Sequence, residues 1–340
     1  MKKSLKTINT VDRYSSMEKK SFLHNGGGWI TNIGNAFLDY GSMQSLREAY
    51  PNGEIHLTSV MNRWISHHIN RKIPEIFKRK KSDISNVFNL QFAANIDYIV
   101  QSGAFLASHW FELHGELLLK YKAKGGKIIF NGAGMTDPTY NDDEIALTRK
   151  WIKKISPDIF ISRDETTYNH FHDLAEHSYN GIDVAFFLNR SYSPMKLDFL
   201  PYFTLNFDKS KEIPLNLLMI NENDLIIRTH HSFWHNFSFI EYYKMKNEYY
   251  GKKNTIISEI PEDYLNVYAN TRTTFSDRVH ACIATLSYGN QARLYSKTPR
   301  AKLFQKVGAK DITSTIVTPN LIKIEQEKTN QVKFLSETII

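Results

Sequence analysis

The chain has 340 residues, 41% hydrophobic and 23% charged, which is the composition of a folded globular protein and excludes a disordered or collagen-like one. Its length predicts two domains. The formal net charge of +8 favours anionic partners, but no zinc spacing or RNA-binding aromatic motif accompanies the basic runs, so we expect no nucleic acid. The single cysteine, Cys282, excludes an internal disulfide.

Two features of the sequence bear on the cellular location of the protein. The first twenty residues are positively charged but lack an apolar run, unlike a signal peptide. No stretch approaches the ~20 apolar residues of a membrane-spanning helix. The sequence therefore predicts a cytoplasmic protein and leaves open a peripheral association with the inner face of the membrane.

The first half of the chain alternates short apolar runs with glycine turns and longer helical patterns. The predicted strands are residues 21–28, 54–59, 97–103, 126–135 and 158–164. The predicted helices are residues 32–50, 109–126 and 141–155. This order is typical of a doubly wound α/β domain with a parallel sheet.

Periodicity fails and prolines appear around residues 186–201, so we place a domain boundary there and divide the chain into residues 1–190 and 191–340. A second series of strands is predicted at 202–207, 224–231, 254–260, 273–277 and 291–296. Helices are predicted at 238–251, 261–271 and 278–289. The charged tail from about Asn320 has no assignment. The expected fold is two Rossmann-like α/β domains that face a central cleft.

The stretch TTFSDRVHACIATLSYG, residues 273–289, joins a strand to a helix whose first turn holds Arg278 and His280. Ser276 or Asp277 is the predicted N-cap. A helix N-terminus with an added arginine can bind phosphate or carboxylate, and a neighbouring histidine can supply a proton near neutral pH. From these residues alone the commoner arrangement is a capped helix in which Asp277 pairs with Arg278 and His280 packs against a neighbouring strand.

Three motifs in order resemble the polysaccharide pyruvyl transferase family. The first is HNGGGWITNIGNAF at 24–37, a glycine cluster before a helix. The second is ISRDETTYNHF at 161–171, followed by an isolated aspartate in GIDVAFFL at 181–188. The third is TTFSDRVHACIA at 273–284. The resemblance runs from about Ser21 to Gly308.

The resemblance implies a fold similar to the GT-B glycosyltransferases and transfer of pyruvate from phosphoenolpyruvate onto two hydroxyls of a sugar as a cyclic ketal. Phosphoenolpyruvate is the donor substrate, no other cofactor is expected, and the acceptor is a glycan or a lipid-linked sugar. The first domain would hold the acceptor and the second the donor. Because the enol carbon must be protonated, His280 is the candidate general acid, and Arg278 is the candidate ligand of the donor's anionic groups.

Other candidate substrate-binding residues share a place at strand ends or turns expected to face the cleft: Arg163, Arg228, Arg300, Lys302, Gly27, Gly28 and Asn32. Arg163 has an alternative as a partner of Asp164 or Glu165 that caps the next helix, and Arg228 has one as a surface strand end. The family often carries one basic residue after its last core strand, and either Arg300 or Lys302 could correspond to it. The glycines fit a close backbone approach to the acceptor sugar.

Two departures from the family pattern leave alternatives open. Asn35 stands where an acidic residue is common, and no proline follows Gly289. The alternatives are a GT-B-type glycosyltransferase that uses a nucleotide sugar and a non-catalytic glycan-binding member of the family. The histidine clusters lack the glutamate of a zincin helix and the cysteines of a closed zinc site, so no metal is expected.

Overall fold

The computed structural model describes residues 19–29, 32–59, 90–93, 95–137, 139, 141–198, 200–232 and 251–339. These residues form two sheets in which every strand pair is parallel. Helices follow the strands of both sheets. The two-domain Rossmann-like α/β fold predicted from the sequence is confirmed.

The first sheet has the strand order β2-β1-β3-β4-β5-β6. Its strands are β1 Ser21–Gly26, β2 Glu54–Ser59, β3 Tyr98–Leu106, β4 Lys127–Met135, β5 Ile159–Ser162 and β6 His177–Asn180. Continuous apolar runs such as 128–130 and 159–161 are fully buried, as expected of strands covered on both faces. Strand β6 was not predicted, because its sequence HSYN is polar and every residue in it is half-buried at the sheet edge.

The helices of this part of the chain cover the first sheet and lead to the second. They are α1 Gly34–Ala49, α2 Leu90–Ala93, α3 Ser108–Ala123, α4 Asp142–Ile155, α5 Glu165–Phe171 and α6 Leu188–Ser191. The Asn141 side chain accepts the Glu144 N–H at the start of α4, and lysines occupy its last turn. Both features stabilise a helix locally, which is why this one was readily predicted.

The second sheet has the strand order β11-β10-β7-β8-β9. Its strands are β7 Tyr202–Asn206, β8 Leu225–Thr229, β9 Thr255–Ile256, β10 Thr273–Ser276 and β11 Gln291–Leu294. Later helices are α7 Pro261–Asn270, α8 Val279–Ser287 and α9 Leu321–Thr338. The predicted helix at 238–251 lies almost wholly outside the described residues.

The tail, for which no structure was predicted, forms helix α9 and packs on the first domain. Leu335 and Ile339 belong to the same buried cluster as Phe22 and Ile161 of the first sheet. Gln331 accepts a hydrogen bond from the Ile182 backbone N–H at 2.9 Å. The tail was assigned to the second domain with residues 191–340, but its apolar face is buried against the first.

The two domains share one apolar core at their junction. Helix α1 from the first domain and helix α8 from the second pack on either side of the 3₁₀ turn Val184–Phe187. The Ile33 backbone N–H also donates to the His231 carbonyl at 2.9 Å, which joins the start of α1 to the end of β8. The carboxyl ends of both sheets are thereby held close together.

Candidate functional site

A cavity of about 100 Å³ lies where the carboxyl ends of the two sheets meet. Residues from both domains line it, and they include four cationic side chains: Arg163, Lys209, Arg278 and Arg300. Asn32, His231, Asp277 and His280 also face it. A crevice at the carboxyl ends of parallel strands is the usual ligand position in an open α/β sheet.

Arg278 lies at the N-cap position of α8, and no side chain caps this helix. The prediction that Ser276 or Asp277 caps it is wrong. The Ser276 hydroxyl instead accepts the Arg278 backbone N–H at 2.8 Å and donates to the Asn206 side chain at 2.8 Å. Because Arg278, Val279 and His280 all line the cavity, the amino end of α8 faces it and favours an anion there.

Asp277 holds the loop that follows β7 rather than the arginine beside it. Its carboxylate accepts the backbone N–H groups of Asp208, Lys209 and Ser210 at 2.7–3.1 Å. The arrangement in which Asp277 pairs with Arg278 is therefore wrong. This loop brings Lys209, an exposed residue, to the wall of the cavity, and partial desolvation together with Arg278 and Arg300 lowers the pKa of Lys209.

Asp208 is the carboxylate that orients Arg278. Its Oδ2 accepts the Arg278 Nε–H at 2.9 Å and the His231 backbone N–H at 2.9 Å, and its Oδ1 lies 3.0 Å from His230 Nδ1. Arg278 also donates to the Ser232 hydroxyl. Burial alone would raise the pKa of Asp208, but its partners His230 and Arg278 outweigh burial and lower it to about 2.

His280 lies beside a buried ion pair between Arg163 and Asp183. Arg163 Nη1 donates to Asp183 Oδ2 at 3.1 Å, and His280 Nε2 lies 3.7 Å from the same oxygen. The side chains of Arg163 and Asp183 are 2% and 0% exposed. The expectation that Arg163 pairs with Asp164 or Glu165 is wrong, since Asp164 caps α5 through the Thr167 N–H.

The protonation of this group follows from burial and charge. Burial lowers the pKa of His280, the Asp183 charge opposes this, and Arg163 and Arg300 lower it further. Burial would raise the pKa of Asp183, but His280 and Arg163 outweigh it and hold the pKa below its usual value. The histidine is therefore neutral and the aspartate ionised near neutral pH.

Helix α1 approaches His280 closely at Gly34. A Cβ atom added there would lie 2.9 Å from His280 Nδ1 and 3.2 Å from the Asn32 side-chain oxygen. The Asn32 Oδ1 accepts the Gly34 backbone N–H at 3.1 Å, which fixes the turn that opens the helix. The Asn-x-Gly pattern thus leaves room for a histidine from the other domain.

The glycine turn before α1 is shaped by Asp39. Gly27 and Gly28 have φ of 104° and 79°, which favour glycine. The Gly27 N–H and the Trp29 indole N–H both donate to Asp39 Oδ2, at 2.9 and 2.6 Å. Burial raises the pKa of Asp39 to about 7. Neither glycine lines the 100 Å³ cavity, whereas Asn32 does.

The remaining predicted cations fall in different places. Arg300 lines the cavity and donates to the Thr136 carbonyl of the first domain. Lys302 lines a separate space of about 40 Å³ that Arg163 and Arg300 also border. Arg228 does not reach the cavity, because its Nε and Nη2 pair with Glu212 at 2.9 and 3.0 Å.

Sequence reasoning missed Lys209, Asp208 and Asp39, and it gave Asp183 no chemical role. Lys209 and Asp208 follow a predicted strand in the sequence FDKS, whose polar residues read as an ordinary loop. The position of FDKS directly after β7 was the signal that could have found them, since carboxyl ends of parallel strands carry ligands.

The described ranges contain no group of three His, Cys, Asp or Glu side chains placed to hold a metal ion. Within the same ranges, none of the helices combines the length and the apolar character that crossing a lipid bilayer requires.

Comparison with known proteins gives a family and a fold. The sequence model of polysaccharide pyruvyl transferases matches residues 32–293. No curated protein matches the chain in sequence. The structure is similar to that of S. aureus MnaA with UDP, with a TM-score of 0.52, 11% identity and coverage of 94% of this chain and 91% of the other.

A second solved structure gives the same result. It is UDP-GlcNAc 2-epimerase from Methanocaldococcus jannaschii with UDP-GlcNAc and UDP, with a TM-score of 0.50, 12% identity and coverage of 91% of this chain and 98% of the other. At such identities the likeness shows the fold alone. The GT-B-like arrangement expected from the sequence is confirmed.

Proposed function

Because the chain belongs to the polysaccharide pyruvyl transferase family, we propose that it transfers pyruvate from phosphoenolpyruvate to two hydroxyls of a sugar, as a cyclic ketal, and releases phosphate. The acceptor would be a glycan or a lipid-linked sugar, and the reaction would take place in the cytoplasm or at the inner face of the membrane. The observation in this structure that best supports the proposal is the cluster of four cationic side chains and His280 around one cavity.

The donor's charges match this cluster. Phosphoenolpyruvate carries a phosphate and a carboxylate, and cationic side chains bind both through charge-assisted hydrogen bonds. Arg163 belongs to the first domain, whereas Lys209, Arg278 and Arg300 belong to the second. The amino end of α8 adds partial positive charge. A dianion with two separated acidic groups can therefore contact both domains at once.

The chemistry begins with a proton transfer from His280 to the methylene carbon of the donor. The C=C electron pair forms the new C–H bond, and C2 becomes an oxocarbenium-like centre that the first acceptor hydroxyl attacks. The second hydroxyl then attacks C2 as the C–O bond to phosphate breaks. The proton of the first hydroxyl reloads His280, and that of the second leaves on phosphate, so atoms and charges balance.

His280 must be protonated before it can act, yet burial and the neighbouring arginines lower its pKa in the protein alone. The donor's negative charges would offset those of Arg163 and Arg300 and raise the pKa of His280. Donor binding would therefore be accompanied by proton uptake. The His280 ring would therefore be protonated only when the donor is bound.

Ligand-dependent stabilisation of the purified protein tests the proposal. Phosphoenolpyruvate is expected to raise the melting temperature of the wild type, and Arg278→Ala is expected to abolish the rise. Arg228→Ala is the matched control, since Arg228 lies in strand β8 of the same domain as Arg278 but pairs with Glu212 and does not line the cavity. Its melting temperature should rise with the donor as in the wild type.

Turnover is then followed as phosphate release with a panel of sugars that carry neighbouring hydroxyl pairs. Product is identified by the mass that one pyruvyl ketal adds. Stabilisation by UDP-GlcNAc and not by phosphoenolpyruvate would overturn the proposal in favour of a nucleotide-sugar enzyme. Stabilisation by neither ligand would favour a member that binds glycan without catalysis.

A further inference from the structure

Asp183 is a buried carboxylate that contacts groups from both domains. It precedes the 3₁₀ turn Val184–Phe187 of the first domain, and its Oδ1 accepts the Ala185 backbone N–H at 3.0 Å. Its Oδ2 accepts Arg163 Nη1 at 3.1 Å and faces His280 Nε2 at 3.7 Å. Its side chain is 0% exposed, so these contacts are shielded from bulk solvent.

The imidazole of His280 presents its two nitrogens to different surroundings. Nε2 is buried, lacks a hydrogen-bond partner within the described residues, and points at Asp183. The side chain as a whole is 14% exposed, so its exposed surface lies on other atoms of the ring and on Cβ. Nδ1 lies on the side of the ring that approaches Gly34 and the turn with Asn32, which lines the cavity.

From this geometry we infer that Asp183 is a positioning residue that holds the Nε2–H of His280, so that Nδ1 is the nitrogen that exchanges the reacting proton. The inference rests on the proposed function for the identity of the reaction. An ionised carboxylate favours an N–H over the Cε1–H that the opposite ring orientation would present to it. The separation of 3.7 Å needs to shorten by less than about 1 Å to form a hydrogen bond, and such contacts commonly tighten when substrate binds.

Fixing one nitrogen has two chemical consequences. Asp183 stabilises the imidazolium that forms when His280 takes up a proton, as the buried aspartate of a catalytic triad does. The proton then moves from Nδ1 to the donor methylene: the Nδ1–H bond breaks and the C–H bond forms. His280 is left neutral with Nε2–H still directed at Asp183, ready to accept the proton of the first acceptor hydroxyl at Nδ1.

The same carboxylate links the acid to the donor site. Arg163 lines the cavity and is held by the oxygen that faces His280. Its Nε is buried without a partner among the described residues. Asp183 therefore fixes the relative positions of a candidate donor ligand and the candidate acid, although one belongs to the first domain and the other to the second.

Two measurements on the full chain test this inference. In ¹⁵N-histidine-labelled wild type at mildly alkaline pH, with His280→Gln to assign the signal, His280 is expected as the Nε2–H tautomer. In Asp183→Asn, that signal is expected to become a mixture of tautomers. The turnover number of Asp183→Asn is expected to fall about 100-fold or more, while phosphoenolpyruvate affinity changes less than ten-fold.

Asp158→Asn is the control for loss of a structural ion pair. Asp158 lies at the amino ends of the strands of the first sheet, where its carboxylate accepts Lys122 Nζ at 2.6 Å and the Ile128 N–H at 2.7 Å. The cavity lies at the carboxyl ends, so substitution of Asp158 should leave turnover unchanged. An Nδ1–H tautomer in the wild type, or unchanged turnover of folded Asp183→Asn, would overturn the inference. The tautomer is read without donor, so a wild type that binds no phosphoenolpyruvate would overturn the proposed function alone.

Discussion

Asp208 Oδ2 and Arg278 Nε form an ion pair at 2.9 Å across the ends of two neighbouring strands. Asp208 follows β7 and Arg278 follows β10, and both side chains are largely buried. A guanidinium held by a carboxylate at Nε keeps its terminal nitrogens available for further acceptors. Asp208 therefore fixes the orientation of the Arg278 side chain and also partly neutralises its charge.

Asp208→Asn is expected to weaken phosphoenolpyruvate binding about ten-fold, because the arginine loses a charge-assisted hydrogen bond that fixes its orientation. Titration calorimetry measures the affinity. Asp224→Asn is the control, since the Asp224 side chain accepts just the Asn221 N–H among the described residues and lies in an exposed turn before β8. Equal affinities in both variants would show that the ion pair does not position Arg278 for the donor.

Lys209→Ala is expected to weaken donor binding by about ten-fold or more and to reduce its dependence on salt. Lys209 lines the cavity and, unlike Arg163 and Arg278, forms no ion pair with a carboxylate among the described residues, so its charge is available to an anion. Lys211→Ala removes a nearby exposed charge that does not line the cavity and should have little effect. Affinity is measured at two salt concentrations, and matching losses in both variants would assign the effect to general electrostatics.

Gly34→Ala is expected to lower turnover at least about ten-fold while donor binding persists. The added Cβ would lie 2.9 Å from His280 Nδ1, so the ring must move by a few tenths of an ångström. Misplacement of a proton donor on this scale slows catalysis without removing the anion contacts. Gln44→Ala on the same helix is the control. Phosphate release and calorimetry separate the two effects, and a wild-type rate in Gly34→Ala would argue against any role for the ring.

Asp39→Asn is expected to change the pH dependence of stability. The folded protein raises the pKa of Asp39 from 3.8 to about 7. Between those values the folded state binds more protons than the unfolded state, so Asp39 makes the wild type less stable as pH rises. The asparagine variant does not lose this stability as pH rises, because its side chain does not ionise, and its side-chain oxygen can still accept the Gly27 and Trp29 hydrogen bonds.

The free energy of unfolding of Asp39→Asn relative to wild type should therefore increase with pH, by up to ~1.4 kcal/mol per unit between about pH 4 and pH 7. Urea denaturation at several pH values measures it. His24 Nδ1 lies 3.8 Å from Asp39 Oδ1, but burial lowers the pKa of His24 to about 3. His24 is therefore neutral in both folded proteins across this pH range, and its own contribution to stability is common to both. A constant offset between the two proteins would contradict the assignment.

The sequence predicted most of the fold because the buried strands are apolar runs bounded by glycine, proline or polar residues. Each predicted strand corresponds to a strand of the structure, although the predicted strand 254–260 is reduced to Thr255–Ile256. Strand β6 and helix α9 escaped prediction. One is a polar edge strand, and the other is a charged helix whose buried face is defined only by the first domain it contacts.

The site was predictable only in part. Arg163, Arg278, Arg300, His280 and Asn32 do line one cavity, as their positions at strand ends and turns suggested. The partners of the two paired arginines were not predictable, because the aspartates that hold Arg163 and Arg278 are 20 and 70 residues away in sequence. Whether a strand-end arginine is aimed at the cleft or, like Arg228, at a neighbouring glutamate depends on contacts that no local pattern encodes.

Helix α9 makes the second sheet an insertion within the first domain. The core that holds Phe22 and Ile161 also requires Leu335 and Ile339, so it cannot be completed until the residues of the second sheet have been synthesised. During translation the first sheet must persist with part of its apolar surface uncovered. Contacts so distant in sequence slow folding. The first domain can therefore complete its core only after the residues of the second sheet have been made.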